Sequence, residues 1–305
     1  MRIRKLSAAQ GLVWVREAIN IGARNPRAVF GAAALFVAAL YGFAALAVLP
    51  VAIGLQGRDQ ITLREAFGVA IPLFIVLTLA MPLLLAGLMH VVREAEAGRP
   101  VRARDLFAPF TQGRARPLVM LGLVQVALNL VGALLVIGLA GSDYWPEYFK
   151  ALQGAMSGHV AVPPQPDHPV LMMLVQLVFN YFSYALVLLC VPLVAFSNTG
   201  LAESLRLGLR ASVANVGANL LASVLFIAAL VMAALVVGVA ALVVGLVASL
   251  VHPLLGAMLS LIVYAGFAVV VLVVLVAISY VAWRDTFDTG DATAAVVPGP
   301  AHIEA

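Results

Sequence analysis

Six long stretches of the chain carry no charged side chain, and every Asp, Glu, Lys and Arg lies between or outside them. They span about residues 28–55, 66–92, 117–141, 170–196, 217–249 and 257–283. Each exceeds the roughly 18 consecutive apolar residues that read as a membrane-spanning helix. The runs are continuous, whereas β-barrel strands would show segments of about ten alternating residues. The pattern predicts an all-α membrane protein with six transmembrane helices in one domain, residues 1–283. The fifth run sets a problem of length. Val216 to Val251 is 36 residues without a charge, about 54 Å of helix against a hydrocarbon core of about 30 Å. That is too short for two spans and a turn. It predicts one long, tilted helix, with the turn at His252-Pro253, where proline disfavours helix at the residue before it.

The short segments preceding the first, third and fifth spans have helical periodicity of their own. On a wheel of residues 11–24, Gly11, Trp14, Val15, Ala18, Ile19, Ile21 and Gly22 gather on one face, and Arg16, Glu17, Asn20 and Arg24 on the other, with Val13 the exception. Ser7 and Gln10 have capping-box spacing for its start. Asn25-Pro26 ends it and can open the next helix. In residues 201–216, Leu201, Leu205, Leu209, Ser212 and Val216 face away from Glu203, Arg206 and Arg210. Apolar on one side and basic on the other, both segments read as helices lying in the membrane interface. The middle connection is a weaker version: Asp105–Phe110 is apolar and aromatic, and Pro109 disfavours a regular helix. The chain thus reads as three loosely repeated units, each an interfacial segment followed by two spans, with Glu17, Asp105 and Glu203 as loosely equivalent markers.

Charge fixes the orientation. Of the 18 Lys and Arg, fifteen lie on the side of the N-terminus, the 93–116 and 197–216 connections and the tail, and only Arg58, Arg64 and Lys150 lie opposite. This predicts a multi-pass protein of the bacterial inner (cytoplasmic) membrane with both termini cytoplasmic. The net charge of +4 follows from this bias and implies anionic phospholipid headgroups as contacts, not nucleic acid. With 64% hydrophobic and 10% charged residues, the chain lies far from soluble composition. The single cysteine, Cys190, sits in an apolar run and reads as a small hydrophobe. No cleavable signal is expected, because no apolar core follows the basic opening directly. Residues 284–305 read as a disordered cytoplasmic tail.

Gly11-Leu-Val-Trp14 with Asn25-Pro26, Pro192–Phe196, Ala202–Ser212 and Asn215 resemble an uncharacterised family of proteobacterial six-span inner-membrane proteins. The layout is similar to the membrane domains fused to glycerophosphodiester phosphodiesterases, although no soluble phosphodiesterase domain is present. The resemblance implies the topology and the inner membrane, and it assigns no activity.

The chemistry inside the spans is amide chemistry. Gln125 and Asn129 lie one turn apart on the third span, as do Gln176 and Asn180 on the fourth. Asn129 falls about 18 Å from one boundary and Asn180 about 15 Å from the other, so both lie near the midplane. They form either a polar seam between neighbouring helices or a polar stripe lining a path, joined by Tyr181, Ser183 and Tyr184. Ala234, Gly238, Ala241, Gly245 and Ser249 on the fifth span permit close helix approach, within the bundle or in a homo-oligomer. In the outer connection, Tyr144, Trp145, Tyr148 and Phe149 suit an aromatic anchor, and the Pro-rich 163–169 run suits a stiff linker. Asp143, Glu147, His159 and His168 match no metal-ligand spacing. Nucleophile elbows, phosphate loops and zinc-ligand pairs are missing from the sequence.

No catalytic, cofactor-binding or metal-binding residue is therefore assigned. The expected role is non-enzymatic: an integral membrane protein that interacts with lipid or with other membrane proteins, its basic interfacial faces carried by Arg16, Arg24, Arg206 and Arg210. The alternative is a transporter or permease-like protein for a small or lipidic molecule, using the midplane amides.

Overall fold

The computed structural model describes residues 2–54, 62–156, 162–197 and 199–287. Among them there is no strand. The helices are α1 (Gln10–Arg24), α2 (Pro26–Gly54), α3 (Leu63–Glu96), α4 (Ala108–Thr111), α5 (Ala115–Ala140), α6 (Tyr144–Met156), α7 (Pro169–Phe196), α8 (Leu201–Ala214), α9 (Val216–Ser249) and α10 (Pro253–Thr286), with a 3-10 turn at Ala103–Phe107 before α4. Six of these, α2, α3, α5, α7, α9 and α10, are long and apolar enough to cross a membrane. The protein is an integral membrane protein.

The spans form where continuous apolar sequence leaves the backbone no partner but itself, and local chemistry sets their ends. Asn25 accepts the backbone N–H of Ala28 at 3.3 Å as α2 begins at Pro26. Thr62 and Glu65 form a reciprocal capping box at the start of α3. Gly98, at φ 67°, takes the chain out of α3. The charge-free run after Asn215 is one helix of 34 residues, about 51 Å long, and it turns back at His252-Pro253. The expected capping box at α1 does not form. Gln10 N–H bonds the Ser7 carbonyl at 3.0 Å, and the Gln10 side chain reaches instead to Asp285 at 2.9 Å.

The core sits at one end, where both ends of the described chain meet: Arg4 N–H donates to Thr286 O at 2.9 Å. The buried residues of α2 lie in its first three turns, those of α7 are mainly Leu189–Val194, and those of α10 are mainly Val273–Trp283. Most of the Lys and Arg cluster at this end. Towards the opposite end the helices bury little. Val231, Leu235, Val239, Leu242 and Leu246 of α9 are each more than half exposed, as a lipid-facing helix should be. There α9 touches α10 through small residues. Ser260 Oγ donates to Ala241 O at 3.1 Å, and Gly245 and Gly256 lie so close to the facing helix that a Cβ on either would overlap it. Of the small-residue stripe on α9, Ala241, Gly245 and Ser249 make this packing, whereas Ala234 is exposed and Gly238 has open space around it.

The short segments are docked on the spans. α1 lies against α9 and α10, the 3-10 turn against α2 and α3, and α8 against α7. Each contact passes a glycine where a Cβ would collide: Gly11 against the backbone of Ala218, Gly87 against that of Leu106, and Gly208 against Cys190 Sγ. The faces differ from those of the wheels. On α8 the buried stripe is Ser204, Gly208, Ala211 and Ser212, while Leu209 and Val213 are exposed. On α1 Ile19, at 61% exposure, leaves the protein-facing side to Trp14, Ala18 and Ile21. In a membrane the bulky apolar face turns to lipid, and small residues let helix backbones meet. The middle segment is a 3-10 turn and a single helical turn, unlike α1 and α8. The three markers also differ in role: Glu17 pairs with Arg284 at 2.7 Å, Asp105 caps its own turn at Arg102 N–H at 2.8 Å, and Glu203 lies in the first turn of α8.

Candidate functional site

Three polar features survive folding. The first is a charged knot at the core end. Arg284 near the end of α10 donates to Glu17 of α1 at 2.7 Å, to Glu96 of α3, and to its neighbour Asp285 at 3.0 Å. Asp285 also accepts the indole N–H of Trp14 at 3.0 Å. Arg93 stands 5.0 Å over the Phe196 ring, and that ring packs 5.4 Å from Trp283. The knot ties α1, α3, α7 and α10 together, and its charges are engaged with one another. Arg284 and Asp285 belong to α10, and Phe287 is 2% exposed. The boundary expected at 284 therefore moves: these side chains are held by partners from α1 and α3. Residues 288–305 lie outside the described residues.

The second feature is a groove of about 400 Å³ between α7, α9 and α10, floored by Trp14. It lies in the half of the membrane towards the core end, since it is lined by the later turns of α7, the early turns of α9 and the later turns of α10. Leu177, Tyr184, Val224 and Ile227 on its walls are each more than half exposed, so it opens sideways into the bilayer. One polar point is fixed: Tyr181 donates to Ser212 O of α8 at 3.0 Å and accepts from Asn219 Nδ2 at 3.3 Å. Asn215, 2% exposed, anchors the turn before α9 by accepting Leu6 N–H at 2.8 Å and donating to Arg4 O at 3.0 Å.

The third feature is a cavity of about 350 Å³ between α5 and α7 in the opposite half, open at its side like the groove, with Trp145 of α6 among its walls and Gln176 and Asn180 exposed. Asn129, Gln176 and Asn180 all line it. Among the described residues these amides and Gln125 make one hydrogen bond, within α5: Gln125 Nε2 donates to Asn129 Oδ1 at 3.2 Å. The buried Gln125 Oε1 and Trp145 Nε1 atoms have no hydrogen-bond partner among the described residues. Asn180 borders both the cavity and the groove. Thus three of the four amides singled out in the sequence meet in one space, and Gln125 stands one turn along α5.

Helix α6 forms in the outer connection, where the sequence predicts only an aromatic anchor. Its signal was the pairing of Tyr144 and Trp145 with Tyr148 and Phe149, one turn apart, which form a contiguous aromatic cluster extended by Phe67 of α3, 5.9 Å from Phe149. The Pro-rich run is pinned where Asp167 N–H donates to Ala140 O at 3.1 Å, beside Gly141 at φ 97°. Arg16, Arg206 and Arg210 are exposed on α1 and α8; the side chain of Arg24 lies outside the described ones, as does His159. Among the described residues no group of three or more His, Cys, Asp and Glu is placed to hold a metal ion. No family model, no curated protein and no solved structure matches the chain.

Proposed function

We propose that this is a multi-pass protein of the bacterial cytoplasmic membrane, both termini cytoplasmic, that works by holding lipid and not by catalysis. The groove between α7, α9 and α10 carries this reading. Its walls are apolar and it opens sideways, so an acyl chain enters without leaving hydrocarbon. Its lining holds no Asp, Glu, Lys, Arg, His or Cys, which leaves no carboxylate, imidazole, amine or thiol in it. Tyr181 links the groove wall to α8, whose exposed Arg206 and Arg210 suit an anionic headgroup. The Lys and Arg bias supports the orientation, and the resemblance to proteobacterial six-span proteins accords with it.

The test is mass spectrometry of lipids retained through purification. Anionic phospholipid should be enriched over the bulk membrane. Filling the groove by Ser223→Trp with Leu188→Trp should remove that enrichment in a protein that still elutes as a single folded species. A retained lipid profile equal to the bulk in both proteins would refute the reading. Reporters fused near Gly154 and Arg206 test orientation, the first expected outside and the second inside.

One observation favours a second reading, a permease-like path for a small or lipidic molecule: Asn180 lines both the groove and the cavity. Liposome flux of a lipidic substrate, lost in Asn180→Leu, would favour it over lipid holding.

A further inference from the structure

The cavity between α5 and α7 has a chemistry different from that of the groove. We propose that it is a binding site for the polar part of an uncharged amphiphile rich in acceptor oxygens, an acylglycerol or a close chemical relative. This adds a second site, in the opposite half of the membrane, to the lipid-holding reading.

Asn129 lies about 21 Å along α5 from its start, and Asn180 about 17 Å along α7 from its start. Both are near mid-height of antiparallel helices. Amides left unpaired in hydrocarbon are strongly disfavoured. Yet Gln176 and Asn180 make no hydrogen bond among the described residues, and Asn129 has its oxygen engaged by Gln125 and its nitrogen free. The Trp145 indole N–H is shielded from solvent and without an acceptor. Among the described residues the lining comes from α5, α6 and α7, and the walls around these atoms are apolar: Phe179 on α7 packs on Gly132 of α5, and Met172 and Leu139 lie towards the end near Trp145.

The donor set selects the ligand. Asn129 has only its amide nitrogen left to donate. Gln176 and Asn180 add donors and acceptors. The complement is a group with several acceptor oxygens and at most a few hydroxyls, as in glyceryl esters. The lining contains no charge, and an ion near the midplane without a partner is costly. This selects against phosphate headgroups. The volume lies within the range of small-molecule sites and accommodates a glyceryl group with the first part of its chains, the remainder lying along the exposed faces of α5 and α7.

A diazirine-bearing diacylglycerol in phosphatidylcholine vesicles containing the full-length protein tests this. Cross-links should concentrate on peptides covering Asn129–Leu139 and Met172–Asn180, and unlabelled dioleoylglycerol should compete them away. Gln176→Leu and Asn129→Leu should each weaken competition by about tenfold, the change expected for losing a hydrogen bond of ordinary strength. Circular dichroism confirms that each variant is folded. Two results overturn the proposal. One is labelling spread evenly over lipid-facing helices and not competed, which means that bulk lipid or water fills the cavity. The other is equal labelling by a phosphatidylglycerol probe. Adducts around Ser223 on α9 report the groove instead, so failure at one site is distinguished from failure at the other.

Discussion

The indole N–H of Trp14 donates to the carboxylate of Asp285 at 3.0 Å, joining residues 271 positions apart. This bond explains how a short amphipathic helix that could have floated in the interface becomes part of the fold. Trp14 is 1% exposed, so its N–H needs an acceptor. Gln10 reaches the same oxygen at 2.9 Å. Asp285→Ala leaves both donors unpaired and should destabilise the protein by about 1–3 kcal/mol. The measurement is thermal unfolding in detergent, with faster proteolysis within α1 as the local signature.

Arg284→Met should cost more. It removes the counter-charge of Glu96, whose side chain is 13% exposed and which keeps its hydrogen bond with the Tyr280 hydroxyl, beside Glu17, at 42%. Breaking a buried pair from one side costs about 3–5 kcal/mol. Exposure of Glu17 lowers the expectation to about 2–4 kcal/mol. Glu17→Gln should cost less than about 1 kcal/mol, because Arg284 keeps Glu96 and Asp285. Equal losses for Arg284→Met and Glu17→Gln would show that Glu96 is not held by Arg284 in the membrane.

Hydropathy made the spans readable because a bilayer imposes one requirement on every spanning backbone. The six helices accordingly begin and end within a few residues of the apolar runs. The single 34-residue α9 was legible from the absence of charge between Val216 and Val251. The docking faces were less so. A wheel scored by hydropathy selects Leu205 and Leu209, but the face of α8 that meets α7 is Ser204, Gly208 and Ala211, residues that hydropathy scores as neutral. Arg284 gave no local signal, since Glu96 and Glu17 lie 188 and 267 positions away. The amides Asn129, Gln176 and Asn180 stood out because they interrupt apolar runs. Their common cavity depends on how α5 and α7 cross, which no short pattern records.

Gly208→Leu should prevent α8 from seating. The added side chain would start against Cys190 Sγ, and Cys190 itself donates to Ser204 O at 3.3 Å. Overpacking of this kind costs about 1–3 kcal/mol or more. Gly42→Leu is the matched control, because nothing lies within 4 Å of that position. The two variants compared by fluorescence size-exclusion after detergent solubilisation should differ: Gly208→Leu aggregates or loses yield, and Gly42→Leu elutes as the parent does.

Cys190 reports the same contact without a substitution. It is fully buried, so a maleimide should not label it in the folded protein and should label it after denaturation. In Gly208→Leu, displacement of α8 should make it reactive under native conditions. Labelling of the parent protein as fast as that of the denatured chain would contradict the packing of α8 on α7.

Replacing Asn129 and Asn180 together by leucine separates stability from site. A hydrogen-bonded seam between α5 and α7 would lose roughly 1 kcal/mol per contact on their removal. The bond present is internal to α5, from Gln125 to Asn129 at 3.2 Å, and Asn180 has no bond among the described residues to lose. Leucine at position 180 also removes a polar group that hydrocarbon disfavours. Against that relief stands the loss of the Gln125 bond, about 1 kcal/mol, so the double variant should unfold close to the parental temperature, while cross-linking of the diacylglycerol probe at the cavity falls. A clear loss of thermal stability would instead assign the amides to holding α5 and α7 together.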